Sequence, residues 1–448
     1  MQFVGNTKEQ LLHDRMISRQ LYDINEVSKC EASVQFVGNA RAEPGCAGTL
    51  ARMRLSARTL GLMASPIAEA HAWLPQRTGS RRLLDMSQAA PSYPTAPEIA
   101  DRICATARAV DGGRYAPPPG LPSLNAAFAA ELSRDYGAPI DATEVLPTGG
   151  CNQAFCVVTS TLTEPGDEVI LPVPYYFNHD MWLRLNGVRP VYLEPVDDPL
   201  VAGPNVLVPD PDRAAALITE RTRAIVVVTP ANPTGVTTPP EVIHRFAELA
   251  AANDLALILD ETYRNFRSTS APTHRLFSGE RWRDTVISLH SFSKDLAIPG
   301  YRVGAVVAGK AVLYEVMKAM DCVQISAPRI GQEAVIAGLL DAGEWRRTQT
   351  ARVADAQRVF ESVMAARPGG FRLAASGAFF GWVRHPFDRV PVAEVVRRLV
   401  LDHDVLVIPG TAFTPTDGGW LRFSFANLDP ADLIELGDRL VEAGAGGG

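Results

Sequence analysis

The middle of the chain alternates between short apolar runs and amphipathic stretches. The apolar runs are Glu168–Leu171, Val191–Leu193, Ala224–Thr229, Leu255–Leu259, Thr285–Leu289 and Gly304–Ala308. One of the runs, Ala224–Thr229, is almost wholly β-branched, as in a strand of a parallel sheet covered on both faces. Between two of these runs, Ile243, Phe246 and Ala250 recur at helical spacing. This alternation predicts an α/β domain.

The pattern changes after about Glu344. A long helix, Thr348–Ala366, is followed by strands and helices in a less regular order. The predicted strands are Phe371–Leu373, Phe379–Val383, Val405–Ile408 and Leu421–Phe425, and the predicted helices are Val392–Leu401 and Pro430–Glu442. This order predicts a smaller α+β domain.

The chain before residue 98 differs from both domains. Residues 1–52 mix charges with few periodic apolar positions, and we interpret them as an atypical N-terminal extension. From Leu83 the chain has the character of an arm, because prolines 91, 94 and 97 prevent a regular helix there. We therefore expect an extension at 1–52, an arm at 53–98 that joins the small domain, a large domain at 99–345 and a small domain at 346–448.

Composition narrows the class of protein. A length of 448 residues favours two domains, and 46% hydrophobic with 21% charged residues is typical of a soluble globular protein. A formal net charge of -7 argues against a nucleic-acid partner, and no apolar run could cross a bilayer. The six cysteines are dispersed without metal-ligand spacing. We expect a cytoplasmic protein with no metal and no membrane partner.

Three polar residues stand at or just beyond the ends of predicted strands: Asn232, Asp260 and Lys294. Ligands in open α/β sheets collect at the carboxyl ends of the strands. A lysine in a desolvated pocket can form a Schiff base with a carbonyl cofactor, and a nearby arginine and serines would suit a phosphate. The combination suggests pyridoxal phosphate (PLP). A lone S-x-S-K string is more often a surface lysine, so the interpretation needs further motifs.

Four motifs supply that support, and they occur in one order along the chain. They are Asn232-Pro233-Thr234-Gly235, Asp260-Glu261-x-Tyr263, Ser291-x-Ser293-Lys294 and Pro299-Gly300-x-Arg302-x-Gly304. Their order and spacing resemble fold-type I PLP enzymes, specifically the class I/II aminotransferase family, over roughly residues 83 to 445. The resemblance implies a three-layer α/β/α large domain with a mostly parallel central sheet, plus a smaller α+β domain.

The resemblance also implies roles around the cofactor ring. Lys294 would hold PLP and move the α-proton of the substrate, and Asp260 would face the pyridine nitrogen. Tyr263 and Asn232 would donate hydrogen bonds to the phenolate oxygen of the ring. Taken alone, Asp260 would more often be a helix N-cap after a strand, and Asn232 could be a turn residue before proline as well as a donor.

For the phosphate, the family pattern implies backbone donors at a helix start and side-chain donors nearby. These residues are Gly150, Cys151, Asn152, Ser291, Ser293 and Arg302. Tyr115 lies in a segment whose tyrosine reaches the phosphate of the neighbouring subunit in the family. The resemblance therefore implies a homodimer with shared active sites. Tyr115 could instead simply pack in its proline-rich loop.

Three further positions follow from the resemblance. Tyr176 would stack on the cofactor ring, with Tyr175 as the fallback, although aromatic clusters are more often core packing. Arg422 would bind the substrate α-carboxylate through a planar pair of hydrogen bonds. Ala89 stands where the family often has a glycine whose backbone approaches the substrate.

The function expected on this basis is transfer of an amino group from an amino acid to a 2-oxo acid. No cation stands at the positions that bind a side-chain carboxylate in aspartate-type members, since Cys322 and Asn152 occupy them and Arg329 is out of register. A non-acidic donor is therefore expected. Another PLP enzyme of the same fold, such as a β-lyase, a cyclase or synthase, or an oxidase, stays open. A transcription regulator is remote, because residues 1–52 lack a basic stripe.

Overall fold

The computed structural model describes residues 54–267, 269, 271–279 and 281–446. The extension predicted at residues 1–52 lies outside these residues. Within residues 54–61, one turn of helix, α1, covers Ala57–Leu60. The chain from Leu62 onward forms a separate compact unit, which contains all the elements considered below.

The strands of this unit form three sheets. They are β1 Leu84–Asp85, β2 Val145–Thr148, β3 Glu168–Pro172, β4 Arg189–Leu193, β5 Thr222–Val228, β6 Ala256–Asp260, β7 Val286–Ser291, β8 Gly304–Val307, β9 Arg372–Gly377, β10 Phe380–Arg384, β11 Val405–Leu406, β12 Ile408–Pro409 and β13 Trp420–Ser424. The largest sheet has the order β2-β8-β7-β6-β5-β3-β4. Its neighbouring strands are parallel except that β8 is antiparallel to both β2 and β7.

Helices cover both faces of this sheet and pack around the smaller one. They are α2 Pro66–His71, α3 Pro97–Arg108, α4 Pro122–Tyr136, α5 Cys151–Leu162, α6 Phe177–Leu185, α7 Pro199–Ala202, α8 Pro211–Ala215, α9 Pro240–Ala252, α10 Trp282–Thr285, α11 Lys310–Gln324, α12 Arg329–Leu340, α13 Gly343–Ala365, α14 Val392–His403 and α15 Pro430–Ala445. No helix in the described ranges is both long enough and apolar enough to span a bilayer.

Strand periodicity explains the layers. Along β5, Ile225 and Val227 belong to one hydrophobic cluster, whereas Ala224 and Val226 belong to another on the opposite face. Helices α4 and α9 contribute to the first cluster, and α5 and α11 contribute to the second. A strand that is buried on both faces needs the continuous apolar run seen in the sequence. The predicted three-layer α/β/α fold with a mostly parallel sheet is confirmed.

The smaller part contains an antiparallel sheet in the order β12-β13-β10-β9. Its core includes Phe360 of α13, Phe423 of β13 and Leu433 of α15. The arm strand β1 pairs in parallel with β11, with Leu84 opposite Val405. The predicted smaller α+β part is therefore present, while the exact domain boundaries stay a prediction.

Several element ends differ from the sequence expectation. Thr285 closes the short helix α10, so β7 begins one residue later than predicted and continues to Ser291. Strand β6 includes Asp260, because the Asp260 carbonyl still accepts the N–H of Thr229. Apolar runs cannot show this, since a polar residue at a strand end can keep its backbone pairing. Helices that the sequence analysis did not predict are the longer α6, α11 and α12 and the short α1, α2, α7, α8 and α10.

Candidate active site

Lys294 lies on the turn that follows β7, at the carboxyl edge of the large sheet. Its Nζ donates to the carbonyl oxygen of Ala89 on the arm. Burial lowers the pKa of Lys294 to about 8, and the positive charges of Arg422 and Arg302 act in the same direction. A lower pKa leaves more of the amine unprotonated near neutral pH, and the unprotonated amine is the nucleophilic form.

Asp260 ends β6, the strand next to β7, and its carboxylate is buried. It accepts the backbone N–H of Thr262 at 3.0 Å, and the Cys151 thiol lies 3.7 Å away. Burial alone would raise the pKa of Asp260, but contacts with His179 and Thr262 outweigh it and lower this pKa. Asp260 precedes a turn and not a helix, so the N-cap alternative does not apply.

His179 is a residue of this cluster that the sequence analysis missed. Its Nε2 lies 3.4 Å from the Asp260 carboxylate, and its ring stacks on Phe155 at 3.9 Å between centroids. Its Nδ1 is buried without a hydrogen-bond partner among the described residues. The available indication was spacing: His179 lies one helical turn beyond Tyr176.

The two candidate stacking tyrosines have different surroundings. Tyr175 is buried and stacks on Tyr192, with 5.3 Å between ring centroids. The Tyr176 hydroxyl instead lies 3.3 Å from Asn152 Oδ1, to which it donates, and its ring is 5.2 Å from that of His179. Tyr176 therefore borders Asp260 and the start of α5, which favours it over Tyr175 for the stacking role.

Arg422 occupies the middle of β13 and is only 2% exposed. Its guanidinium donates to Asn232 Oδ1 at 3.1 Å and to the Ser87 carbonyl, while Nε is buried without a partner. The rings of Phe380 and Phe413 lie 5.2 and 5.0 Å from it. Within the described ranges Arg422 has no carboxylate partner, and burial lowers its pKa to about 10.

Asn232 and Tyr263 are two further predicted residues that lie near Arg422. Asn232 follows β5 and is joined to Pro233 by a cis peptide bond. Tyr263 is buried, with its ring 5.0 Å from that of Phe380. Burial raises the pKa of Tyr263 well above its usual value, so the hydroxyl stays protonated and can donate a hydrogen bond.

The predicted phosphate-binding residues gather at the start of α5. Gly150 precedes this helix with φ of +95°, and a Cβ there would collide with the Arg302 guanidinium. A Cβ on Gly304 would lie 2.6 Å from the backbone nitrogen of Cys151. These two glycines let Arg302 and the free N–H groups of the helix approach the same space, and both kinds of donor favour an anion.

The serines and Tyr115 complete the predicted set. Ser291 Oγ accepts the N–H of Ser293 at 3.3 Å, on the turn that precedes Lys294. Tyr115 is 75% exposed, and its carbonyl accepts from Arg329. The structure therefore gathers the predicted residues around Lys294, Asp260 and Arg422 but leaves Tyr115 on the surface.

Most of this architecture matches known proteins. The family model described as aminotransferase class I and II matches residues 81–440. The chain belongs to this family. The aspartate/prephenate aminotransferase of Thermus thermophilus is 31% identical over 364 residues, which cover 78% of this chain and 87% of that protein. An aromatic aminotransferase of Arabidopsis thaliana is 27% identical over 332 residues, or 73% of this chain and 80% of that one.

Solved structures agree with the sequence comparison. A single-mutant aspartate aminotransferase of Thermus thermophilus superimposes with a TM-score of 0.78 at 26% identity, covering 87% of this chain and all of that chain. This protein is therefore an aminotransferase, as the four motifs predicted. Amino acids and 2-oxo acids are the substrates of such enzymes, which confirms the predicted class of reaction.

Proposed function

We propose that this aminotransferase works with PLP held by the residues around Lys294. The residues fit the group: a desolvated amine, a buried carboxylate, and anion donors at a helix start lie at one edge of the sheet. PLP supplies an aldehyde that condenses with an amine, and a ring that withdraws electrons from the substrate α-carbon. Asp260 would hold the pyridine nitrogen protonated, and Asn232 and Tyr263 would donate to the phenolate oxygen.

The observation that carries the proposal is Arg422. Among the described residues its guanidinium meets no carboxylate, and such a buried cation is costly unless a ligand supplies the anion. Its planar pair of donors suits the α-carboxylate that every amino acid and 2-oxo acid substrate carries. Bound there, the carboxylate would fix the α-carbon relative to Lys294, whose Nζ would remove and return the α-proton.

One spectrum tests the cofactor. Purified protein mixed with PLP should develop a visible absorption band, and Lys294→Ala should abolish that band or change its character. Protein that takes up no PLP would contradict the proposal. With a single amino acid donor and no acceptor, one half-turnover should yield pyridoxamine phosphate, which separates transamination from β-elimination or oxidation.

We also propose a homodimer in which Tyr115 reaches the partner's cofactor phosphate. The support is the exposure of Tyr115 together with its family position. Mixing inactive Tyr115→Ala with inactive Lys294→Ala subunits should restore part of the activity, because each hybrid dimer would contain one intact site. No restoration in a verified hybrid would contradict shared sites.

For the substrate, we propose a non-acidic amino donor. Asn152 is an uncharged amide that accepts a hydrogen bond from the Tyr176 hydroxyl. Arg329 donates hydrogen bonds to the carbonyls of Arg114 and Tyr115. Neither supplies a free cation for a second carboxylate. The kcat/KM for aromatic, aliphatic and basic donors should exceed that for aspartate. A strong aspartate preference, which the names of several relatives suggest for those proteins, would overturn this proposal.

A further inference from the structure

A chain of ion pairs lies directly behind the turn that carries Lys294. Arg346 Nη2 contacts the carboxylate of Asp295, the residue after Lys294, at 2.6 Å. Arg346 Nη1 contacts Glu131 at 2.6 Å. Glu131 also pairs with Arg264, whose other nitrogen lies 2.7 Å from Asp135. One guanidinium thus bridges two carboxylates, one of which adjoins Lys294 in sequence.

Most of this chain of ion pairs is shielded from water, and only Asp135, whose side chain is 36% exposed, lies nearer the surface. Glu131, Asp295 and Arg264 are buried, and the side chain of Arg346 is only 15% exposed. Burial alone would raise the pKa of Glu131, but the adjacent Arg264 and Arg346 outweigh it and lower this pKa to about 2. The pairs are therefore charged and hydrogen-bonded in a region of low dielectric, where they constrain side-chain positions strongly.

The chain of ion pairs connects two distant parts of the fold. Arg346 lies in the first turn of α13, and the same helix later contributes Val353 and Phe360 to the core of the smaller part. One residue beyond Asp295, the Leu296 carbonyl accepts a hydrogen bond from the Thr95 hydroxyl of the arm at 2.8 Å. The lysine turn is thus fixed through Asp295 and Leu296, and Asp295 is fixed by Arg346.

We propose that Arg346 is a positioning residue for Lys294: through Asp295 it holds the turn so that Nζ points toward the candidate site. The inference rests on the proposed use of PLP. Arginine suits the task because its planar fork contacts two carboxylates at once, whereas one ammonium group cannot reproduce both contacts in the same geometry. Arg346 touches no substrate atom in this assignment and acts only through its neighbour.

The test measures how fast Lys294 captures PLP. In this step the Nζ–C bond forms, the C–O bond of the aldehyde breaks and one water molecule leaves. Borohydride added at timed intervals reduces the C=N bond, and mass spectrometry of the Lys294 peptide gives the attached fraction. We expect Arg346→Ala to slow attachment about tenfold or more at saturating PLP, since small misplacements of a reacting group are costly. Arg346→Lys should give an intermediate rate.

Non-covalent binding separates positioning from general damage. In a Lys294→Ala background, adding Arg346→Ala should leave the PLP dissociation constant within about twofold, because the proposed phosphate and ring contacts do not involve Arg346. Arg283→Ala is the matched control. Arg283 pairs with buried Glu144 at 2.5 Å, at the opposite end of β2 from Gly150, so its loss should lower the melting temperature without slowing attachment.

A double-mutant cycle tests the route through Asp295. Asp295→Asn should slow attachment as well, and the double variant with Arg346→Ala should be no slower than the worse single variant. Fully multiplicative effects would overturn the inference, as would an unchanged attachment rate in Arg346→Ala. If Arg346→Ala does not fold, Arg346→Lys decides between the same outcomes. Wild-type protein that never attaches PLP would instead refute the proposed function.

Discussion

This aminotransferase contains two pairs of largely buried cations, and the pairs differ in whether carboxylates surround them. Arg264 and Arg346 are matched with Glu131, Asp135 and Asp295. Lys294 and Arg422 contact carbonyl or amide oxygens and no carboxylate within the described ranges. Burial lowers the pKa of Lys294 to about 8 and of Arg422 to about 10. For Arg264 and Arg346 burial acts in the same direction, but the neighbouring carboxylates outweigh it and raise the pKa.

The difference separates groups that stabilise the fold from groups that await a ligand. A buried charge with matched partners holds side chains in place, and its loss leaves an uncompensated charge behind. A buried cation without an anion costs stability in the free protein and gains its partner when a substrate binds. Substitutions should therefore have contrasting effects on activity and on stability in the two pairs.

The largest expected effect is on catalysis. Lys294→Ala should lower kcat by at least about 10⁴-fold, because the variant loses both the attachment point and the base. Its unfolding free energy should not fall, since a desolvated amine is removed. Steady-state kinetics would measure kcat, and chemical denaturation would measure the unfolding free energy. Lys310→Ala, which removes an exposed lysine 3.8 Å from Asp141, should change neither.

The second largest effect should be a difference in unfolding free energy between variants of two arginines. Arg264→Met should cost about 3–5 kcal/mol of unfolding free energy, because buried Glu131 loses a partner. Arg422→Met removes an unpaired buried charge and should change stability by less than about 1 kcal/mol while raising KM for amino acids strongly. Denaturant titration of both variants checks the prediction. Equal losses of unfolding free energy in the two variants would contradict the distinction between cations with and without carboxylate partners.

The pH dependence of the cofactor-free protein sharpens the comparison. The pKa of Lys294 is about 8 in the folded protein and 10.5 at its ordinary value. Between these values the unfolded chain binds more protons, so stability should rise with pH relative to Lys294→Met, by up to about 3 kcal/mol. Denaturation of both proteins from pH 7 to 10.5 would test this. A constant difference would show that the amine is not desolvated.

The smallest effect should come from an exposed pair. Arg358 contacts Asp355 three residues earlier on α13, and both side chains are largely exposed. Arg358→Ala should change the unfolding free energy by no more than about 0.5 kcal/mol. A loss as large as that from Arg264→Met would mean that burial does not govern the contribution of ion pairs in this protein.

The sequence predicted the site best where a functional residue stands at or just after the end of a strand. Asn232, Asp260 and Lys294 could be placed together because the carboxyl ends of parallel strands share one edge. It missed partners that leave no local trace. The Ser87 and Ala89 carbonyls contact Arg422 and Lys294, but any residue type supplies a carbonyl.

Long-range side-chain partners were equally invisible. Arg346 meets Glu131 from 215 positions away in sequence, and no periodic pattern encodes that distance. His179 was within reach of spacing arguments, yet its partner Asp260 lies on a different element. What the sequence could not predict is set by tertiary packing, which brings together residues whose local patterns are unrelated.

The pairing of β1 with β11 has a consequence for synthesis of the chain. Leu84 leaves the ribosome long before Val405, its partner in the pair. At usual elongation rates the roughly 320 intervening residues take about 15 to 60 s, during which the arm has no strand to join. Lys294 and Asp260 can reach their places earlier, whereas Ala89 and Arg422 must wait for the last tenth of the polypeptide. A nascent chain stalled before Val405 should therefore hold the lysine turn without its arm.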